Sequence, residues 1–360
     1  MYLFLATHPG GTLINRRSWR SLCAVLALTF AGHAQAQAGV QHTHQAYAKG
    51  NIDLYVTTGQ CVLVIDGLVD DSIIKPLNEG LKQVQRLRCP ERFMVLNSAG
   101  GAPRFAYSIA DFIAKHEFDT EIAGGGICFS ACAYVFLGGR KRVIAERGKF
   151  GVHQHSREGV CALGFSEVEE RRMCTIMEKS LPAPATNRLI GLILGTDCNT
   201  MNFLTREDLE GMSITNTPAS RVNPEIRQAM ATREAQVFEQ FRTAARGTWT
   251  RAAGDRVLTV FTRESTETVT GGNPTVWGRV SYAADKAEQV SGEAYRTHEM
   301  LSEVDCDKQV IAVVRSVYTR EPLGEGAVVW KTGRLSGVTV RPKTPAEFFY
   351  KLACGRPLSG

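Results

Sequence analysis

Residues 124–139 read GGGICFSACAYVFLGG. Three glycines open the stretch, two close it, and between them an apolar run carries a single hydroxyl, Ser130. Glycines let a backbone turn sharply, and the run 130–137 has the length and composition of a short buried helix. Ser130 therefore stands at a turn entering a helix, where a hydroxyl serves either as an N-cap or as a nucleophile backed by the N–H of Ala131.

The flanking sequence decides what surrounds that turn. VTTGQCVLVIDG within 53–67 is strand material, FMVLN at 93–97 is a continuous apolar run of the kind found in buried parallel strands, and TEIAG at 120–124, KRVIAER and FGVHQH supply further strands. Ile73, Ile74, Leu77, Leu81 and Val84 repeat at helical spacing within 72–88, and Phe105, Ile109, Phe112 and Ile113 do so within 103–117, behind Pro103. Strand and helix alternate, which implies right-handed crossovers and a parallel sheet. In such sheets ligands sit at the carboxyl ends of the strands. LNSAGG at 96–101, the Ser130 turn and GVHQH at 151–155 are each expected at that edge. Alternation puts His153 and His155 on one face, so periodicity leaves both open as a base.

The remainder of the chain bounds these expectations. It has 360 residues, 44% of them apolar and 22% charged, enough for two ordinary domains and without a bias toward disorder. The formal charge of +6 falls to +3 without residues 1–36. No basic stripe argues for nucleic acid, and GGRKR at 138–142 reads as a solvated loop. Residues 1–36 have the form of a signal peptide: a basic segment ending NRRSWR, the apolar run LCAVLALTFAG, then AQA. The apolar run is too short to span a bilayer. Export to the periplasm or beyond is the expectation, with no transmembrane segment after cleavage. Nine cysteines then remain, and an oxidising compartment makes them candidates for bridges. Cys306 and Cys354, the only two in the last third, form one candidate pair. Cys61 and Cys89, each preceding an expected strand, form another. Cys128 and Cys132, four apart around a helix start, are poorly placed to bridge each other. No cysteine or histidine spacing suggests zinc, and neither metal nor cofactor is expected.

Downstream, Ser166 with Glu169 and Thr205 with Asp208 form capping boxes. Residues 185–194 form an apolar helix, and 225–245 a charged bridging helix. From about 248 composition shifts to Thr, Val, Trp and Tyr in short alternating runs such as VLTVFT and VIAVVRSVY. This predicts a smaller, mostly antiparallel β domain. The implied organisation is 1–36 signal peptide, 50–220 α/β domain, 221–246 linking helix and 247–360 β domain.

VLNSAGGAPRFAYSIADFI followed by GGGICFSACAYVFLGGRKRVIAERGKFGVHQH resembles the Clp protease proteolytic subunit and its exported relatives, in the ClpP/crotonase-like superfold, over roughly residues 55–215. NSAGG has Ala99 where that family carries proline. The resemblance implies Ser130 as nucleophile, His153 as general base, and oxyanion donors from the backbone at Gly100, Gly101 and Ala131. The family's acid falls near Asn199 in GTDCNTMNFLT, with Asp197 the substitute two residues upstream. From about Trp249 the chain resembles surface-adhesin protein E-like domains, on VDCDKQVIAVVRSVY, Trp330 and the closing LACG. Three readings follow: an exported serine hydrolase, most simply a peptidase acting on peptide or protein; a non-catalytic exported binding or envelope protein on the same scaffold; and, least favoured for an exported chain, a coenzyme A-dependent enzyme. Substrate and oligomeric state are not encoded in any motif.

Overall fold

A computed structural model of the chain describes residues 39–157, 160–161, 166–267, 272–288 and 291–358; the expected signal peptide lies outside them. Three strands come first, β1 (Gln41–Tyr47), β2 (Gly50–Val56) and β3 (Gln60–Gly67). The stretch read as strand material over 53–67 is divided between β2 and β3, because residues 57–59 turn and the Thr57 N–H donates to Gln60 O at 3.0 Å. There follow α1 (Ile74–Leu87), β4 (Glu91–Asn97), α2 (Pro103–Lys115), β5 (Asp119–Ile122), β6 (Ile127–Phe129), α3 (Ala131–Leu137), β7 (Arg142–Ile144) and β8 (Lys149–Val152). A two-strand hairpin, β9 (Ser156–Arg157) and β10 (Val160–Cys161), precedes α4 (Glu167–Ser180), α5 (Ala183–Gly195), β11 (Asn202–Phe203), α6 (Arg206–Gly211) and α7 (Pro224–Ala245).

The main sheet runs β1-β2-β3-β4-β5-β7. Its first three strands pair antiparallel, whereas β3, β4, β5 and β7 are parallel. Parallel strands are covered on both faces, which is why β3 and β4 read as continuous apolar runs. One face packs Leu63, Ile65, Met94 and Leu96 beneath α1 and α2. The other packs Val62, Phe93 and Val95 against Val222 and Ile226 at the start of α7. Each such buried aliphatic contributes roughly 1.5–3 kcal/mol. A second sheet, β11-β8-β6, holds β6 parallel to β8 and β11 antiparallel to β8. The two sheets join at one parallel bridge between Ser98 and Cys128. The fold is therefore mixed α/β.

The basic patch at 138–142 departs from expectation. Arg142 is 4% exposed rather than solvated. Its guanidinium donates to four carbonyls, those of Gly139, Ile214, Ser180 and Ser213, at 2.8–3.0 Å. Composition alone cannot tell a solvated arginine from one that ties three chain segments together, because both read as a charge in a turn. Burial lowers its pKa to about 10.

The C-terminal part is an antiparallel sheet of seven strands: β12 (Thr250–Gly254), β13 (Leu258–Glu264), β14 (Thr275–Ala287), β15 (Ala294–Asp305), β16 (Val310–Thr319), β17 (Val328–Thr332) and β18 (Val338–Thr339). They follow one another in order, with β18 returning to pair with β16. A closing helix, α8 (Pro345–Cys354), buries Phe349 and Tyr350 on one face of the sheet. Cys354 at its end is bonded to Cys306, just past β15. On the other face lie Phe241 and Ala245, the far end of α7, against Trp277, Leu301 and Val317. Helix α7 thus touches both sheets, its first turns on the parallel one and its last on the antiparallel one. Cys61 is bonded to Cys89, and Cys174 is the free thiol among the described residues.

Candidate functional site

Ser130 follows β6 and precedes α3 with φ 54° and ψ −123°, a conformation rare for a side-chain-bearing residue. Such backbone costs about 1–3 kcal/mol and persists only where its surroundings over-determine it. Here they do. The Ser130 N–H donates to Gly151 O on β8 at 2.9 Å. One residue earlier, the Phe129 N–H donates to Ser98 O at 3.0 Å. All seven residues of α3 are buried. Cys128 and Cys132 are bonded across the turn with their Cα atoms 5.2 Å apart, against the expectation that this spacing disfavours a bridge. The expectation overlooked the positive φ between them, which folds the end of β6 back onto the first turn of the helix. Ser130 itself remains half-buried.

Gly100 presses against this turn. A Cβ there would lie 2.7 Å from Phe129 O, 2.8 Å from Ser130 Cβ and 3.1 Å from Ala131 N, at φ +103°. The segment SAGG therefore lies directly on the serine, and only glycine fits. Of the three backbone donors expected nearby, the Gly100 N–H is committed to Ser98 Oγ at 3.1 Å. The Ala131 and Gly101 N–H groups meet no acceptor among the described residues; Gly101 is exposed, and its neighbours bond to Val69 on either side.

The two histidines separate clearly. Strand β8 ends at Val152, so His153 and His155 lie in the segment beyond it and alternation does not apply. His155 Nε2 lies 3.1 Å from the Tyr134 hydroxyl, inside the helix layer, and burial lowers its pKa to about 4. His153 is two residues past Gly151, where β8 pairs with Phe129, and so follows the strand next to the one that leads into Ser130. Adjacent strands are about 4.8 Å apart. No hydrogen bond joins Ser130 to the His153 ring, and its Nδ1 is buried without a partner. Burial lowers the His153 pKa, while a backbone hydrogen bond at Cys198 and the charge of Asp197 pull it up.

Those last two residues belong to the segment following α5, which is stitched to the histidine segment. The Gln154 N–H donates to Thr196 O at 2.9 Å, and its side-chain amide donates to Leu194 O. Cys161 is bonded to Cys198. Asp197 is exposed, and its Oδ1 accepts from the Asn199 N–H at 2.8 Å and from Asn199 Nδ2 at 3.0 Å. The Asn199 amide is thus engaged with Asp197. Cys161, Asp197 and Cys198 converge closely, but both sulfurs are consumed by the disulfide and hold no metal.

One wall of the site went unread in the sequence. Trp330 on β17, 4% exposed, packs with Ile127 and Phe129 of β6, beside Ala99, Met201 and Phe203. The antiparallel sheet therefore covers the strand that leads into Ser130. An isolated Trp in a β-rich tail carries no signal of which distant strand it covers.

Residues 249–355 match the family described as surface-adhesin protein E. This agrees with the resemblance read from Trp249 onward, and the match coincides with β12 through α8. No curated protein matches the chain. No helix among the described residues is long and apolar enough to cross a membrane.

Proposed function

We propose that this chain is an exported serine hydrolase of the Clp type, acting on peptide bonds, with Ser130 as nucleophile and His153 as general base. The observation that carries the reading is the Ser130 turn: a half-buried serine at φ 54° with a glycine packed on its Cβ. Strain of this kind concentrates at functional positions. In the reaction His153 takes the Ser130 proton as Oγ attacks the acyl carbon, and the Ala131 and Gly101 N–H groups meet the oxyanion. Asp197 is the acid available to the imidazole. Its approach to the unpartnered Nδ1 belongs to the substrate-bound state, since such hydrogen bonds often tighten only there. A histidine kept neutral by burial suits a base at neutral pH. The four disulfides and the adhesin-like segment support export.

The test is a fluorophosphonate probe applied to the folded chain, with the adduct located by mass spectrometry. Labelling of Ser130, absent in Ser130→Ala, supports the reading; folded protein that takes no label from pH 6 to 9 overturns it. A second reading, a non-catalytic envelope protein, is favoured by one observation: the adhesin-family match over 249–355. It expects Ser130→Ala to leave the biological role intact.

A further inference from the structure

A cavity of about 120 Å³ lies where the carboxyl ends of β3 and β4, the glycine turn at 124–126, helix α7 and strands β16 and β17 meet. Its charges are unevenly compensated. Lys331 and Glu234 pair at 2.6 Å, and His44 and Asp53 at 2.9 Å. Two half-buried groups, Asp66 and Arg315, are left over. Asp66 accepts one hydrogen bond, from Asn97 Nδ2 at 2.8 Å, and no cation lies within ion-pair distance. Arg315 has no hydrogen bond or ion pair among the described residues: its Nε is buried without an acceptor, and its guanidinium meets only the face of Phe238 at 5.5 Å. Each group feels the other's charge without touching it.

Both groups are half-buried, and a charge drawn away from bulk water is costly without partners, so what fills the cavity must supply them. We infer that this cavity binds a small zwitterion, an amino acid or dipeptide, with its carboxylate on Arg315 and its ammonium on Asp66. The planar guanidinium suits a carboxylate bidentately. Arg233, at the α7 side, adds a second positive charge near the carboxylate end. Val95, Val237 and Phe238 offer an apolar wall for a side chain. A water occupies roughly 10–15 Å³ on this measure, so the space holds about as many water-sized positions as a small amino acid has heavy atoms. The inference does not depend on Ser130 chemistry.

The test is calorimetric titration of the full chain with each of the twenty L-amino acids and with Ala-Ala at millimolar concentration. Beside any binder, the matching carboxylate without its amine and the amine without its carboxylate are run. At least one zwitterion is expected to bind, both single-charge analogues to bind at least tenfold more weakly, and Arg315→Met and Asp66→Asn each to lose binding tenfold or more. Arg315→Met is also expected to unfold at a higher temperature than the unsubstituted chain when ligand is absent, because a half-buried charge without a protein partner has gone. No binder in the panel, or binding unchanged in both variants, overturns the inference and assigns the space to water. Should Arg315→Met fail to fold, Asp66→Asn carries the same comparison.

Discussion

Replacing Gly100 with alanine isolates the contact on which the site depends. At φ +103° an L side chain costs about 1–2 kcal/mol in backbone strain alone. The added Cβ would also stand 2.7 Å from Phe129 O and 3.1 Å from Ala131 N, backbone atoms held by β6 and α3 that cannot swing aside. Overpacking of that kind costs a further ~1–3 kcal/mol, for a total of about 2–5 kcal/mol. Gly125 provides the control: its φ is +81° but a Cβ there meets nothing within 4 Å, so Gly125→Ala should lose only the backbone strain, ~1–2 kcal/mol. Gly191, in α5 with open space around it, should gain up to about 1 kcal/mol as alanine. Urea unfolding of the three variants gives the order directly, and probe labelling of Ser130 gives the functional counterpart, with Gly100→Ala the variant that loses labelling while still folded. If Gly100→Ala proves no less stable than Gly125→Ala and labels at the normal rate, the SAGG segment does not press on Ser130 and the site as described is wrong.

Other outcomes follow from separate parts of the molecule. Arg142→Met should destabilise by about 3 kcal/mol or more in urea unfolding, since four carbonyls, two of them fully buried, lose a charged donor at once; a loss under ~1 kcal/mol would mean the arginine is dispensable packing. His298 and His155 are held neutral by burial, with pKa values near 3 and 4. The unfolded chain takes up their protons near pH 6.5 and the folded chain does not. The stability from keeping them neutral is therefore intact above pH 6.5 and falls as pH drops toward the folded values, by about 2 kcal/mol near pH 5 for His298 and less for half-buried His155. His298→Leu should flatten that slope in a urea-midpoint series, and an unchanged slope would contradict it. Converting Cys306 and Cys354 together to serine opens a span of 48 residues and should cost about 4 kcal/mol in the chain-entropy account, with α8 losing hydrogen-exchange protection first.

Periodicity was enough to read the helices, because α1 and α2 bury regular stripes, and continuity of apolar residues was enough to read β4. The Ser130 turn was legible because glycines punctuate it on both sides. What escaped was long-range. The three-residue β6 is too short for a pattern, and its pairing depends on Ser98 thirty residues away. The choice between His153 and His155 turned on Tyr134, which reads only as part of an apolar helix. Arg142 looked like surface because charge in a turn usually is. Helix α8 lay hidden in a tail read as strands, its Phe349 and Tyr350 aromatic in either reading.

The most direct test of the central claim is the rate at which a fluorophosphonate labels Ser130 in the unsubstituted chain and in His153→Ala, measured across pH. A shared site expects the rate to fall about 10²–10⁴-fold in the variant and, in the unsubstituted chain, to rise through a pKa below that of an ordinary histidine, as burial dictates. Equal rates in the two proteins, or labelling that ignores pH across that range, would separate the hydroxyl from the imidazole and leave Ser130 a strained turn without a base.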